Sequence, residues 1–314
     1  MALPTINDVQ LIEPVLTNML VAYRQSADRF VAGRAFPSVP VTNDSGTYPI
    51  LTKKYWFLDE LARRAPGDPF ARVEYGVESG TYKTEQWAAD SAIADETRAN
   101  SQIPMELERV AVELLAQRSM LRKEKAFSDD FMKTGVWGTS NTTATDWDDT
   151  TNGDPIADLL LASETISNNT GYMPNTLIVG HIVHRALMSH PDILDRIKYV
   201  MAGTQDNIRG ALLSVLGIDN YLVSRATYSA TNEAAAFAAT PVIDDDALLI
   251  YSNPSAGLFD ATAGKTFVWT PGGGEGTIYR YRSDSRHADV VQHKEQWDQA
   301  VVAADLGYFF SDIV

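Results

Sequence analysis

The spacing of apolar residues changes repeatedly along the chain, and each change predicts a different kind of element. The first forty residues alternate short apolar clusters with polar breaks and end in Phe36, Pro37, Ser38, Val39 and Pro40. The two prolines force extended backbone and discourage helix before them, so this stretch reads as an extended arm. From Gly46 the period is two: Tyr48 and Ile50, then Val73, Tyr75 and Val77, with Tyr82 after a turn at Glu78, Ser79 and Gly80. Pro66, Gly67, Asp68 and Pro69 mark a second turn inside this excursion, which spans 46–95. It carries Tyr55, Trp56 and Phe57 without a core of its own. A lone pair of strands is marginal in water, so the excursion is expected to pack on something else.

A helical period takes over at 104–133, where Leu107, Val110, Ala111, Leu114, Leu115 and Leu121 recur on one face. Pro104 is tolerable in a first turn and Gly135 supplies a stop. Such a helix is roughly 45 Å long, suited to spanning a flat, elongated subunit. Arg118, Arg122, Lys123 and Lys125 form a basic run on it, read as a solvated face with internal pairing. After a polar stretch at 140–152, Gly153, Asp154 and Pro155 read as turn, N-cap and first helical residue of a helix to about 167. A short apolar strand at 175–180 leads into helices at 181–188 and 192–199, with Pro191 between them. Helix 209–216 stops at Gly217, and strands follow at 221–226 and 247–251. The remainder reads as sheet: 266–269, a glycine turn at 271–274, then 277–282, 287–297 and 301–310. The mixture follows no regular βαβ alternation, so the fold class is α+β and not a doubly wound nucleotide-binding sheet.

At 314 residues the chain is long enough for two or three cores, and 45% hydrophobic with 21% charged residues places it among globular proteins. It has no cysteine, which excludes disulfides, thiolate nucleophiles and cysteine-held metals. A net charge of −15 repels phosphate backbones, so tight nucleic-acid binding by the whole surface is disfavoured. Apolar stretches such as 234–239 fall far short of the roughly 20 residues of a bilayer span, and no secretory signal is visible.

The motifs of common chemistry start and then fail. Ala263, Gly264, Lys265 and Thr266 end like a phosphate-binding loop, but the required earlier glycine is Phe259. Gly272, Gly273, Gly274 and Gly276 lack dinucleotide spacing and read as a hairpin connection. His181 and His184, with His190 nearby, have no carboxylate at zinc-protease spacing and read as surface or capping residues. Asp244, Asp245 and Asp246 read as a solvated turn. Asp146, Asp148 and Asp149 begin like a calcium loop, but Thr151 stands where glycine is needed. No Gly-x-Ser-x-Gly elbow is present. No catalytic residue, cofactor or metal ligand is predicted, and the chain is read as a non-enzyme.

Arm, two-stranded excursion, long helix, mixed α/β region and strand-rich end, in this order, resemble the major capsid proteins of tailed bacteriophages, built on the Hong Kong 97 phage fold. The text resembles the family as well: MPNTLIVG at 173–180, HRALMSHPDILDRIKY at 184–199, LLSVLGIDNYLVSRATY at 212–228 and AVVAADLGYFFSDIV at 300–314. The resemblance covers about residues 40–314 and rests on the joint order of these stretches. It implies an N-arm at 1–45, an E-loop at 46–95 and a P-domain at 96–170 with its spine helix at 104–133. It further implies an A-domain at 171–262 and a segment at 263–314 that returns through the P-domain and ends in the A-domain.

The function so implied is a shell protein forming hexamers and pentamers of an icosahedral head that encloses double-stranded DNA. The implied partners are copies of itself, a portal, a decoration protein and a scaffolding protein. The scaffolding protein is expected to be separate, because the chain passes from Met1 almost directly into the arm. The implied location is the virion, with assembly in the host cytoplasm. A thin subunit has little interior per residue, so its arm and aromatic loop must bury on neighbours. Phe36, Tyr55, Trp56 and Phe57 are the residues expected in intersubunit packing, and Leu107, Val110, Leu114 and Leu121 the buried face of the spine. Some relatives crosslink a loop lysine to a neighbour, but Lys53, Lys54 and Lys83 match no such role and no isopeptide chemistry is expected. Two rivals are an encapsulin-type compartment of the same fold, told apart by a cargo groove and no portal, and a divalent-metal hydrolase using His181, His184 and the 244–246 aspartates.

Overall fold

The computed structural model describes residues 26–51, 53, 57–61, 63–67, 70–74, 76–100, 107–141, 145–197, 205–231 and 238–314. The strands, in chain order, are β1 (Ser38–Val41), β2 (Ser45–Leu51), β3 (Val77–Lys83), β4 (Glu85–Ala94), β5 (Thr139–Asn141), β6 (Thr176–Val179) and β7 (Asn220–Val223). They continue as β8 (Thr227–Ser229), β9 (Ala239–Pro241), β10 (Ala247–Ile250), β11 (Gly264–Trp269), β12 (Thr277–Ser283), β13 (Ala288–Val301) and β14 (Gly307–Phe310). The α-helices are α1 (Ala32–Ala35), α2 (Asp95–Ala99), α3 (Leu107–Phe131), α4 (Pro155–Thr170), α5 (His181–Ser189), α6 (Pro191–Ile197) and α7 (Gln205–Leu216).

One sheet has the order β5-β14-β10-β6-β7. Its inner strands β6, β10 and β14 are uninterrupted apolar or small runs, buried at every position, because both faces are covered. Leu177, Val179, Ala247, Leu249 and Phe310 point into a core shared with α4, α5, α6 and α7. The alternate residues Ile178, Leu248, Ile250 and Phe309 point the other way, onto Phe36, Phe127, Phe131 and Trp137. Helix α4 starts as expected, with Asp154 accepting the Ala157 N–H at 3.0 Å and Pro155 in the first turn, and ends on Gly171 at φ 74°.

The second sheet has the order β1-β11-β13-β12, with β4 along the other edge of β13. The expected strands at 287–297 and 301–310 are replaced by one 14-residue strand, β13, and a separate β14. β13 stays extended because two partners share one of its edges, β12 at residues 288–294 and β11 at 297–301. A 3-10 turn at Ala304–Leu306 then carries the chain into the other sheet. Helix α3 lies across this sheet: Ala111 and Leu115 pack on Ile93 and Val291, and Ala126 on Val268 and Trp297. Buried Glu295 ties the layers, accepting the Ser119 hydroxyl at 2.6 Å and lying 3.4 Å from the Lys123 ammonium.

The excursion is a ribbon of β2 and β3, with Tyr48 opposite Gly80 and Gly46 opposite Tyr82. The predicted turn at Glu78, Ser79 and Gly80 is not there; those residues lie within β3. Glycine serves packing here, since a Cβ on Gly80 would come within 2.3 Å of the Tyr48 ring and one on Gly46 within 2.7 Å of the Tyr82 hydroxyl. Each ring covers the glycine opposite, and both stack on Phe267 of β11, at centroid distances of 5.1 and 4.6 Å.

Candidate assembly surfaces

The ribbon has a fixed root. Besides the stack on Phe267, the Tyr48 hydroxyl donates to the Val301 carbonyl at 3.3 Å, and Thr84 donates its N–H and hydroxyl to the Asp44 carbonyl, both at 2.8 Å. Beyond the root, apolar side chains stand in solvent: Phe57 is 63%, Leu61 91% and Phe70 82% exposed, with Leu58 and Val73 also exposed. Large apolar side chains concentrated this way on one loop mark an interaction surface. Arg64 lies over the Phe70 ring at 4.2 Å, and Lys53 pairs with Asp305. Phe57 lies beside the α4 terminus, where a Cβ on Gly171 would be 3.7 Å from its ring. Tyr55 and Trp56 lie outside the described residues.

Phe36 departs from expectation. It is fully buried in its own chain, 5.1 Å from Phe127 and 4.9 Å from Phe131 between ring centroids, so it is a core residue and not a clasp on a neighbour. Gly264 is there to admit it, since a Cβ would meet the Phe36 ring at 2.3 Å. The lysine of the failed phosphate loop, Lys265, is likewise buried in β11 and donates to the Leu258 carbonyl at 2.9 Å.

On the spine helix, Leu107, Val110, Leu114 and Leu121 are all half-buried. Leu107 borders the cluster with Ile93 and Val291, and Leu121 the one with Phe30, Ala226 and Val242. The fully buried positions are Ala111, Leu115, Glu124, Ala126, Phe127 and Phe131, so the stripe is rotated toward small and aromatic residues. Alanines bring the helix close to the sheet, a preference that leucine spacing does not report. The basic run is largely employed inside the subunit: Arg122 stacks on Trp87 at 4.0 Å, Lys123 lies beside Glu295, and Lys125 bonds Asp129 at 3.0 Å.

A second exposed surface is the edge strand β12. Ile278, Tyr279 and Tyr281 are each about half exposed. Arg280 and Arg282 of the same strand enter ion pairs with Glu108, Asp95 and Asp289. Leu160, Leu161, Tyr172 and Met173 form further exposed apolar positions at and after α4.

Several of the polar residues singled out in the sequence make structural bonds. His184 Nδ1 lies 2.9 Å from the Tyr221 hydroxyl, and burial, reinforced by nearby Arg225, lowers its pKa to about 4. Asp149 accepts the N–H groups of Thr151 and Asn152, closing its own turn. Among the described residues no three His, Asp or Glu side chains converge in a way that could hold a metal ion.

The sequence profile of the phage major capsid protein E family matches residues 73–264, more than half of the chain. The major capsid protein of Burkholderia phage BcepMu is 25% identical over 231 residues, covering 71% of this chain and 72% of that protein. A phage-related protein from Bordetella bronchiseptica RB50 superposes with a TM-score of 0.72 at 22% identity, covering 96% of both chains. The capsid subunit of cyanophage P-SCSP1u superposes with a TM-score of 0.63 at 13% identity, over 92% of this chain and 89% of that one. The two superpositions establish a shared fold.

Proposed function

The chain belongs to the phage major capsid protein E family, and from that premise we propose that it builds the hexamers and pentamers of an icosahedral phage head enclosing double-stranded DNA. The observation that carries the reading, beside the family, is the excursion: a root fixed on Phe267 and a far part whose apolar side chains its own subunit leaves in water. Such a surface gains about 25 cal/mol per Å² when a neighbour covers it. Phe57, with Tyr55 and Trp56, is assigned to that contact. The 46–95 segment takes the role of the E-loop, α3 with β12 and β13 that of the P-domain, and the β5-β14-β10-β6-β7 sheet with its helices that of the A-domain.

In this reading copies of the chain are the main partner, and a scaffolding protein, a portal and a decoration protein complete the head in the host cytoplasm. DNA is enclosed without sequence-specific contact, because a wall with the chain's charge of −15 does not hold duplex tightly. The subunit works through its interfaces and not through a catalytic pocket. Sedimentation velocity with negative-stain microscopy, in low and in high salt, tests the proposal. Closed shells, or rings of five and six, are the expected result. A compact monomer under every condition, including with scaffolding protein supplied, overturns it.

A further inference from the structure

Glu124 lies wholly buried in the second half of α3 and joins three segments far apart in sequence. Its Oε2 accepts the N–H groups of Val31 and Ala32, each at 2.8 Å, and its Oε1 accepts the Ser224 hydroxyl at 2.8 Å. Among the described residues no cation forms an ion pair with it: Lys123 reaches to Glu295, and Arg34 bonds the Asp28 carbonyl at 3.2 Å. A buried carboxylate whose hydrogen-bond donors are all neutral, favoured otherwise only by the more distant Arg34 charge, is costly, and an apolar side chain would fill the same space at lower cost. What the carboxylate adds is direction.

Two of its three donors sit where the chain enters the core. Val31 and Ala35 are packed without exposure, but apolar burial does not fix rotation. The outer side of this root borders an open groove of about 310 Å³ whose lining includes Arg34 and Lys123 as well as Glu124, and a Cβ on Gly33 would meet nothing within 4 Å. The Arg225 N–H holds the Arg29 carbonyl at 3.2 Å and Phe30 packs on Ala226 and Val242, and the two short hydrogen bonds to one Glu124 oxygen fix residues 31 and 32 next to them.

We propose that Glu124 is the positioning residue that sets how residues 26–36 sit on the subunit, by holding residues 31 and 32 to the spine helix and to Ser224 at once. The inference rests on the shell reading above, in which every copy must present residues 26–36 in the same way.

Hydrogen exchange on unassembled subunits, followed by microscopy of the assembled product, tests it. In Glu124→Ala the Val31 and Ala32 amides lose their acceptor and are expected to exchange at least about tenfold faster, with open or misclosed shells. Glu124→Gln keeps a carbonyl oxygen for both N–H groups and can donate to the Ser224 oxygen, so wild-type protection and wild-type shells are expected. Ser224→Ala deletes one bond and leaves the core filled, so a smaller rise in the same peptide is expected even if Glu124→Ala fails to fold. Unchanged protection in Ser224→Ala and in any folded Glu124→Ala overturns the proposal, as do uniform closed shells from a Glu124→Ala subunit. Wild-type subunits that form no shell would count against the shell reading, and the exchange data would still decide whether Glu124 holds the root.

Discussion

Asp246 accepts the Asp312 N–H at 3.2 Å, and burial, reinforced by the neighbouring carboxylates of Asp245, Asp312 and Asp244, pushes its pKa up from 3.8 to about 6. The folded protein therefore binds this proton more tightly than the unfolded chain. Its stabilising contribution is complete below pH 3.8 and is lost as pH rises through about 6. Asp246→Asn keeps the acceptor and removes the charge. At pH 7 it is expected to be more stable than wild type by about 1 kcal/mol, allowing for the group's partial exposure, and to flatten the stability profile between pH 4 and 6. Urea titrations across that range measure it, and a variant that keeps the wild-type slope would show another group to be responsible. The sequence displayed the three aspartates but not Asp312, which arrives 66 residues later. The same limit applies to Phe36: prolines after it showed extended backbone, but that its ring would fill the space above Gly264, 228 positions on, is a tertiary fact.

The excursion shows which features of an element survive in sequence and which do not. Alternating Tyr48 and Ile50 announced the first strand correctly, whereas Gly80 looked like a turn because glycine's freedom and its smallness look identical in a sequence. In β3 only smallness counts. Gly80→Val would drive Tyr48 off Phe267 and is expected to cost roughly 1–3 kcal/mol of subunit stability. Limited proteolysis should then cut the ribbon faster than the rest of the chain, and an unchanged digestion pattern would mean that the stack is dispensable. The spine helix is legible from its apolar period, and so are Ala111 and Leu115 of its buried face, but Glu124, Ala126, Phe127 and Phe131 fall outside that pattern because they are buried by contacts with distant parts of the chain. The long β13 was divided in two for a related reason: strand length is set by partners on both edges, and those come from distant parts of the chain.

Over the whole molecule two opposing forces decide whether subunits associate. A charge of −15 repels like copies, while the exposed loop offers apolar area that only another surface can cover. Salt shifts this balance in one direction: the screening length falls from about 10 Å at 0.1 M to about 3 Å at 1 M, and apolar contacts are not weakened by it. Assembly is therefore expected to advance as salt rises, and shells that dissolve in high salt would mean that ion pairs, not the loop, hold them. The loop's part can be isolated, because Leu61 and Phe70 are 91% and 82% exposed and contribute little to the folded monomer. Replacing both with serine is expected to change subunit stability by about 0.5 kcal/mol or less, the usual range for surface substitutions. The same variant should need markedly more salt to assemble, or fail to do so. Thermal melting beside sedimentation in a salt series separates the two effects. A variant that assembles like wild type would remove the loop from the interface, and one that melts early would return Leu61 and Phe70 to the subunit's own core.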